Sequence, residues 1–249
     1  MTLEVRQFAC LSDNYGYLVR DAASGKVAAI DTPDAATYGA ELKRLGWGLD
    51  MIMNTHWHPD HAGGNRALQN QYGATIVAPR EVERISPIDR IVADGDVIEL
   101  GETRLRVIDT GGHTLGHISL YDTESGIVFV GDTLFTLGCG RMFEGTPDQF
   151  AASLDRLVAL PEATLVYCAH EYTASNLTFA LGVDPGPALA RRAIGLRAKI
   201  AAGEPTVPTT IGEERATNPF LRAPTLAIAA GAVDAADAFR IVRKAKDNA

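Results

Sequence analysis

Short apolar runs divided by polar turns fill the first 173 residues, and their lengths predict mainly strands. Strands are expected over 3–8, 15–19, 26–30, 49–53, 75–77, 97–100, 103–108, 118–121, 127–130 and 165–168. The runs 15–19 and 26–30, and again 97–100 and 103–108, are joined by turns bearing glycine and read as hairpins. Helical spacing is expected over 35–45 and 65–71, and over a longer stretch ending near residue 160. The turn ending at Asp34 caps the first helix and Gly46 stops it. Thr146 caps the third and Pro147 sits at its first position. Its stripe of Phe150, Leu154, Leu157 and Leu160 faces the core. The stretch 79–96 is polar, interrupted by Pro87 and Gly95, and reads as a connection. Strands alternating with helices place this part in the α/β class.

From residue 174 the pattern changes: Ala, Arg and Pro rise and strand-like runs vanish. Helices are expected over 174–180 and 188–201, the second ended by Gly203, and again from about 234. Pro185 and Pro187 break the chain between the first two. The stretch 204–224 holds four prolines and no clear period, with Phe220 as a candidate anchor. The expected organisation is an α/β domain over 1–173 and a small helical domain over 174–249.

Charge refines this division. The net formal charge of -8 argues against a general nucleic-acid partner. It is uneven: residues 1–173 carry 13 basic and 24 acidic side chains, and residues 174–249 carry 10 and 7. The tail is therefore the better place to meet an anion. No apolar run reaches membrane-spanning length, and the charged start does not read as a signal peptide, so no membrane partner is expected. Three cysteines, Cys10, Cys139 and Cys168, do not form a disulfide framework. A reducing cytoplasm is the simplest home, and a monomer is expected.

The candidate chemistry lies where strands end. The run 49–53 delivers Thr55-His56-Trp57-His58-Pro59-Asp60-His61, with three of the six histidines. Pro59 argues against a regular helix through the segment, and the varied spacing suits two neighbouring metals. After 103–108 comes Gly111-Gly112-His113-Thr114, in which His113 is the chosen ligand. His117 leads straight into the next strand and reads as a packing or hydrogen-bonding histidine. After 127–130 comes Gly131-Asp132-Thr133, and Asp132 could bridge two cations through its two oxygens. After 165–168 comes His170. Imidazole and carboxylate suit zinc, iron or manganese. A pair of such ions makes hydroxide available at neutral pH, so hydrolysis is favoured over redox chemistry or a purely structural metal. A glycine-rich loop over 134–143 adds Arg141 and Phe143 beside this set. Cys139 and Cys168 lack an obvious partner for nucleophilic work, and no P-loop or dinucleotide fingerprint occurs.

These strings resemble the metallo-beta-lactamase superfamily. The run from Gly131-Asp132-Thr133-Leu134-Phe135 into Gly138-Cys139-Gly140-Arg141, then His170-Glu171-Tyr172-Thr173 and Asn218-Pro219-Phe220, resembles its hydroxyacylglutathione hydrolase (glyoxalase II) family over essentially the full chain. The resemblance implies an αββα sandwich of two mixed sheets with outer helices, followed by a helical domain that helps hold glutathione. It implies hydrolysis of S-D-lactoylglutathione to D-lactate and glutathione, a step in methylglyoxal detoxification. Two divalent ions are implied, zinc first, with iron or manganese as alternatives. His56, His58 and His113 would hold one ion, and Asp60, His61 and His170 the other. Asp132 would bridge them, and Asp60 would also orient the nucleophile. Substrate contacts would come from Arg141, Phe143, Tyr172, Arg243 and Lys246. The family commonly has Lys where Arg141 stands and Tyr where Phe143 stands, which bears on affinity and on the thiols accepted. The alternatives within the fold are a lactone, lactam or phosphodiester hydrolase and a mononuclear-iron glutathione-persulfide dioxygenase.

Overall fold

The computed structural model describes residues 3–249. Met1 and Thr2, part of the charged start considered above, lie outside the described residues. The chain divides into two compact units. The first runs as far as Asp109 and takes in Gly116–Gly131; the second comprises Thr110–Leu115 and Asp132–Ala249.

The first unit begins with three antiparallel strands, β1 (Leu3–Cys10), β2 (Asn14–Asp21) and β3 (Val27–Ile30). Helix α1 (Ala35–Leu45) follows, capped by the Asp34 carboxylate and stopped by Gly46 in the left-handed region. The sheet then continues in parallel through β4 (Met51–Met53), β5 (Thr75–Ala78) and the short β6 (Arg90–Ile91), so it is mixed. The one-turn α2 (Pro59–Ala62) and α3 (Asn65–Tyr72) lie between β4 and β5. Strands β7 (Val97–Leu100), β8 (Thr103–Asp109), β9 (Ile118–Asp122) and β10 (Ile127–Gly131) form an antiparallel meander.

Strand β3 is buried on both faces, because each face has a partner layer. Leu18 and Ala29 pack with Tyr38 and Leu42 of α1, while Tyr17 on the opposite side meets Phe129 of β10 at 5.5 Å between ring centroids. Asp21, at the end of β2, joins the two sheets of this unit. Its carboxylate accepts bonds from Ser24, from the Glu102 amide and from the Thr103 hydroxyl.

In the second unit, β11 (Leu134–Phe135) and β12 (Gly138–Cys139) form a tight ribbon. Helix α4 (Pro147–Val158) starts as expected, with the Thr146 hydroxyl accepting from the Gln149 amide. Next come β13 (Leu165–Cys168), α5 (Thr173–Val183) and α6 (Pro187–Ala202). Pro187 opens α6 rather than breaking it, since a first-turn residue has no amide bond to lose. The stretch 204–224 is more ordered than its prolines suggest. It holds β14 (Thr209–Thr210), paired with β13, and α7 (Ile211–Thr217), capped by Thr210. Two residues of strand and two helical turns are too short to show a period. Helix α8 (Ala235–Asp247) closes the chain. Phe220 is buried and its ring lies 6.0 Å from Phe179 and 6.2 Å from Phe239, which makes it the expected anchor.

Candidate metal centre and substrate cleft

The first unit presents four of the seven expected ligands from the loop after β4. Pro59 excludes a helix through His56 and His58 but opens α2, so Asp60 and His61 stand on one helical turn. His56 Nε2 and His58 Nδ1 are 3.0 Å apart, and His61 Nε2 is 3.4 Å from Asp60 Oδ2. Two ligands at about 2.0–2.1 Å from one tetrahedral cation stand about 3.3 Å apart, so both pairs fit ion binding.

Asp31, three residues before the Asp34 cap of α1, organises this loop. It is buried and adopts φ +55, an uncommon conformation that Asp tolerates better than most residues. Its oxygens accept from the Thr55 amide and hydroxyl, each at 2.8 Å, and face His61 Nδ1 at 2.9 Å. The Thr55 hydroxyl in turn faces His56 Nδ1 at 3.0 Å. Both rings thus use Nδ1 for orientation, which makes Nε2 the candidate ligand atom. Asn14 was also missed: its amide donates to the backbone oxygen of Asp60 at 3.2 Å and to Oδ2 at 3.3 Å. Nothing in the local sequence of either residue marks it, because each acts on a loop distant along the chain. His117 is fully buried, and its ring stacks on His56 at 4.9 Å. A Cβ on Gly131, at φ +46, would stand 2.6 Å from His117 Nε2, so only glycine fits there.

The second unit supplies the other three. One Asp132 oxygen lies 3.3 Å from His113 Nε2, and the other lies 3.3 Å from His170 Nε2. A carboxylate turned to a different imidazole with each oxygen has the geometry of a bridging ligand. His113 Nδ1 is held by the Arg141 carbonyl at 2.8 Å. His170 stacks flat on Tyr172, with centroids 4.7 Å apart. All seven residues belong to groups of His and carboxylate side chains able to hold a metal ion.

His113 and Asp132 open onto a cleft of about 500 Å³, and all five expected substrate contacts line it. Arg141 and Phe143 are exposed there, with Phe143 edge-on to the His113 ring at 5.2 Å. Lys246 donates to the Ser175 carbonyl and hydroxyl at 3.0 and 2.7 Å. Burial lowers its pKa, and the nearby charges of Arg243 and Arg141 lower it further, which marks the cleft as cationic. Arg243 is more engaged than its place in the tail suggested. It is only 6% exposed, donates to the Cys139 carbonyl at 3.0 Å, pairs with Asp247 and lies over the Phe220 ring.

The thiols are inert by environment. Burial pushes Cys168 up to about 12 and Cys139 to about 11, the latter despite the Arg243 charge beside it.

Known proteins fit this arrangement. The family model described as Metallo-beta-lactamase superfamily matches residues 13–170, and Hydroxyacylglutathione hydrolase C-terminus matches 171–249. A hydroxyacylglutathione hydrolase of Erythrobacter litoralis is 52% identical over 249 residues, covering 99% of each chain. Among solved structures, ETHE1 from Myxococcus xanthus superposes with a TM-score of 0.72 at 27% identity, covering 97% of this chain and 91% of its own. The BLEG-1 B3 metallo-beta-lactamase superposes with a TM-score of 0.68 at 22% identity, covering 88% of this chain and 99% of its own. The fold is thus the αββα sandwich of two mixed sheets with outer helices and a C-terminal helical extension. On the strength of its match across both family models and of a relative identical at half its positions, the chain belongs to the hydroxyacylglutathione hydrolase (glyoxalase II) family of the metallo-beta-lactamase superfamily.

Proposed function

We propose that the chain hydrolyses S-D-lactoylglutathione, and S-2-hydroxyacylglutathiones generally, to the 2-hydroxy acid and glutathione. The observation that carries this reading is the cationic cleft opening on His113 and Asp132 and lined by Arg141, Phe143, Tyr172, Arg243 and Lys246. The names of the relatives support the same thioester. His56, His58 and His113 would hold one divalent ion, Asp60, His61 and His170 a second, and Asp132 would bridge. Zinc is the first choice, with iron or manganese also suited to these donors. When bound, the ions supply activation of water and polarisation of the thioester carbonyl. Asp60 orients the attacking water. Arg141 and Lys246 hold the carboxylates of glutathione, which lie away from its sulfur, and Arg243 adds its charge from beneath. Phe143 and Tyr172 flank the thiol carrier. The thiol leaves readily as thiolate, so no dedicated general acid is required.

On this reading residues 1–173 carry the chemistry and 174–249 hold the carrier. The chain acts as a monomer in the cytoplasm, without nucleic-acid or membrane partners. Three free, buried cysteines suit a reducing compartment, and no helix among the described residues is long and apolar enough to cross a membrane.

The test compares S-D-lactoylglutathione with a short thioester lacking glutathione, a lactone and a phosphodiester. The glutathione thioester should be strongly preferred. Arg141→Ala should raise its KM roughly 10- to 100-fold, as expected for a charge-assisted bond of about 1.5–3 kcal/mol. Lys246 already donates to the Ser175 carbonyl and hydroxyl, so Lys246→Ala should cost about tenfold or less. Equal turnover of the short thioester, with both variants matching the parent, would remove glutathione from the reading. Turnover of only the lactone or phosphodiester would reject it.

A further inference from the structure

Between Asp132 and Arg141 the chain makes the β11–β12 ribbon, whose turn is conformationally expensive. Leu137 sits at φ +57, where a branched side chain is strained. Four polar groups of the ribbon backbone and the carbonyl at its exit are held by side chains from elsewhere. The Leu137 amide donates to Glu214 Oε2 at 2.9 Å. The Asn218 amide nitrogen lies 3.2 Å from the Phe135 carbonyl and 2.9 Å from that of Gly138. Asn176 of α5 donates to the Thr136 carbonyl at 3.1 Å, and Arg243 of α8 to that of Cys139 at 3.0 Å.

The central pair of this mould is built deep. Glu214, in the middle of α7, and Asn218, just beyond its end, are both 0% exposed, and they bond to each other at 2.9 Å. The other Glu214 oxygen is held by Arg192 and by the Thr209 hydroxyl at 2.7 Å. A buried carboxylate with both oxygens engaged has little freedom to adjust, so it fixes whatever it holds.

The ribbon passes this placement to the metal ligands through two contacts. Gly140, directly after β12, packs so closely that a Cβ there would stand 1.9 Å from the Asp132 carbonyl oxygen and 3.1 Å from His113 Nδ1. Arg141 then offers its carbonyl to His113 Nδ1. A ribbon displaced by a few tenths of an ångström would change the angle of the His113 ring and the seat of Asp132. Loss of such supporting bonds commonly costs 10- to 100-fold in metal affinity or activity.

We infer that Asn218 and Glu214 are positioning residues, which mould the β11–β12 ribbon so that His113 and Asp132 are set for ion binding. On this view the C-terminal segment does more than hold the thiol carrier: it shapes the hydrolytic centre itself. The inference rests on the proposed metal-dependent hydrolysis and deepens it.

The test uses the full chain and reads metal binding separately from turnover. Cobalt(II) is titrated against a competing chelator, its visible absorption is recorded, and kcat is measured with S-D-lactoylglutathione. Asn218→Ala should weaken cobalt binding at least about tenfold, alter the absorption bands and lower kcat by a similar factor. Leu157→Ala, a cavity in the buried face of α4, is the control. It should lower the melting temperature comparably and leave cobalt affinity and spectrum unchanged. If Asn218→Ala does not fold, Asn176→Ala takes its place with the same expected direction. The inference is overturned if either folded variant binds cobalt with parental affinity and spectrum, or if Leu157→Ala perturbs them equally. A parent that binds cobalt but ignores the glutathione thioester sinks the substrate reading and leaves the metal arm standing. A parent that binds no cobalt sinks both.

Discussion

Asp132 turns one oxygen to His113 and the other to His170, each at 3.3 Å. Its charge and its second good donor atom both matter for such a role. Asp132→Asn removes the charge and leaves a single ligand oxygen with the same shape. It should lower kcat at least about 100-fold, beyond the usual cost of disturbing a supporting residue, while the circular dichroism spectrum is kept. Metal analysis of the same samples separates the causes. Near-parental activity with two ions retained would reject the bridging role. Arg243 shows how much a residue's role depends on its partners: its guanidinium serves the Cys139 carbonyl and Asp247 before it can serve a substrate. Arg141, exposed in the same cleft, is the better measure of substrate charge recognition.

At the scale of elements, Asp21 links the end of β2 to the turn between β7 and β8. Burial alone would raise its pKa, but bonds from Ser24, Thr103 and the Glu102 amide outweigh that and bring it to about 2, against an ordinary 3.8. A folded-state pKa below the unfolded value contributes stability that is complete above the unfolded pKa and is lost as pH falls through the folded one. That contribution is fully present at neutral pH. Asp21→Asn should therefore be less stable than the parent at pH 7. The gap should shrink between about pH 4 and pH 2 in urea unfolding across that range. A gap independent of pH would show that the Asp21 charge does not link the strands. The ribbon of β11 and β12 obeys the opposite rule: two residues per strand cannot set their own geometry, and α5, α7 and α8 do it for them.

For the whole molecule, ligands that bind only the folded chain stabilise it by mass action. Free metal at about 1,000 times its dissociation constant contributes about 4 kcal/mol, or on the order of 10 °C in melting temperature for a chain of this size. Chelation should lower the calorimetric midpoint by about that amount, and adding zinc back should restore both midpoint and activity. An unchanged midpoint would mean that the ligand set is not filled in the folded protein.

The sequence determined the residue types of the candidate ligands and most of the elements. Histidines and aspartates at strand ends announce themselves by residue type, and α1, α4 and α8 begin with their caps in place because capping is a local event of a few residues. Strands β3 and β10 were legible because a strand buried among layers must be continuously apolar. The short β14 and α7 escaped, since elements of two and seven residues hold too few positions to show a period. Only the tertiary structure disclosed Asp31 behind His61, Asn14 behind Asp60, and Glu214 with Asn218 behind the ribbon. Asp31 precedes His61 by 30 residues and Glu214 follows Leu137 by 77. A hydrogen bond between residues so far apart leaves no mark on local pattern, and it exists only once the chain has folded the two together.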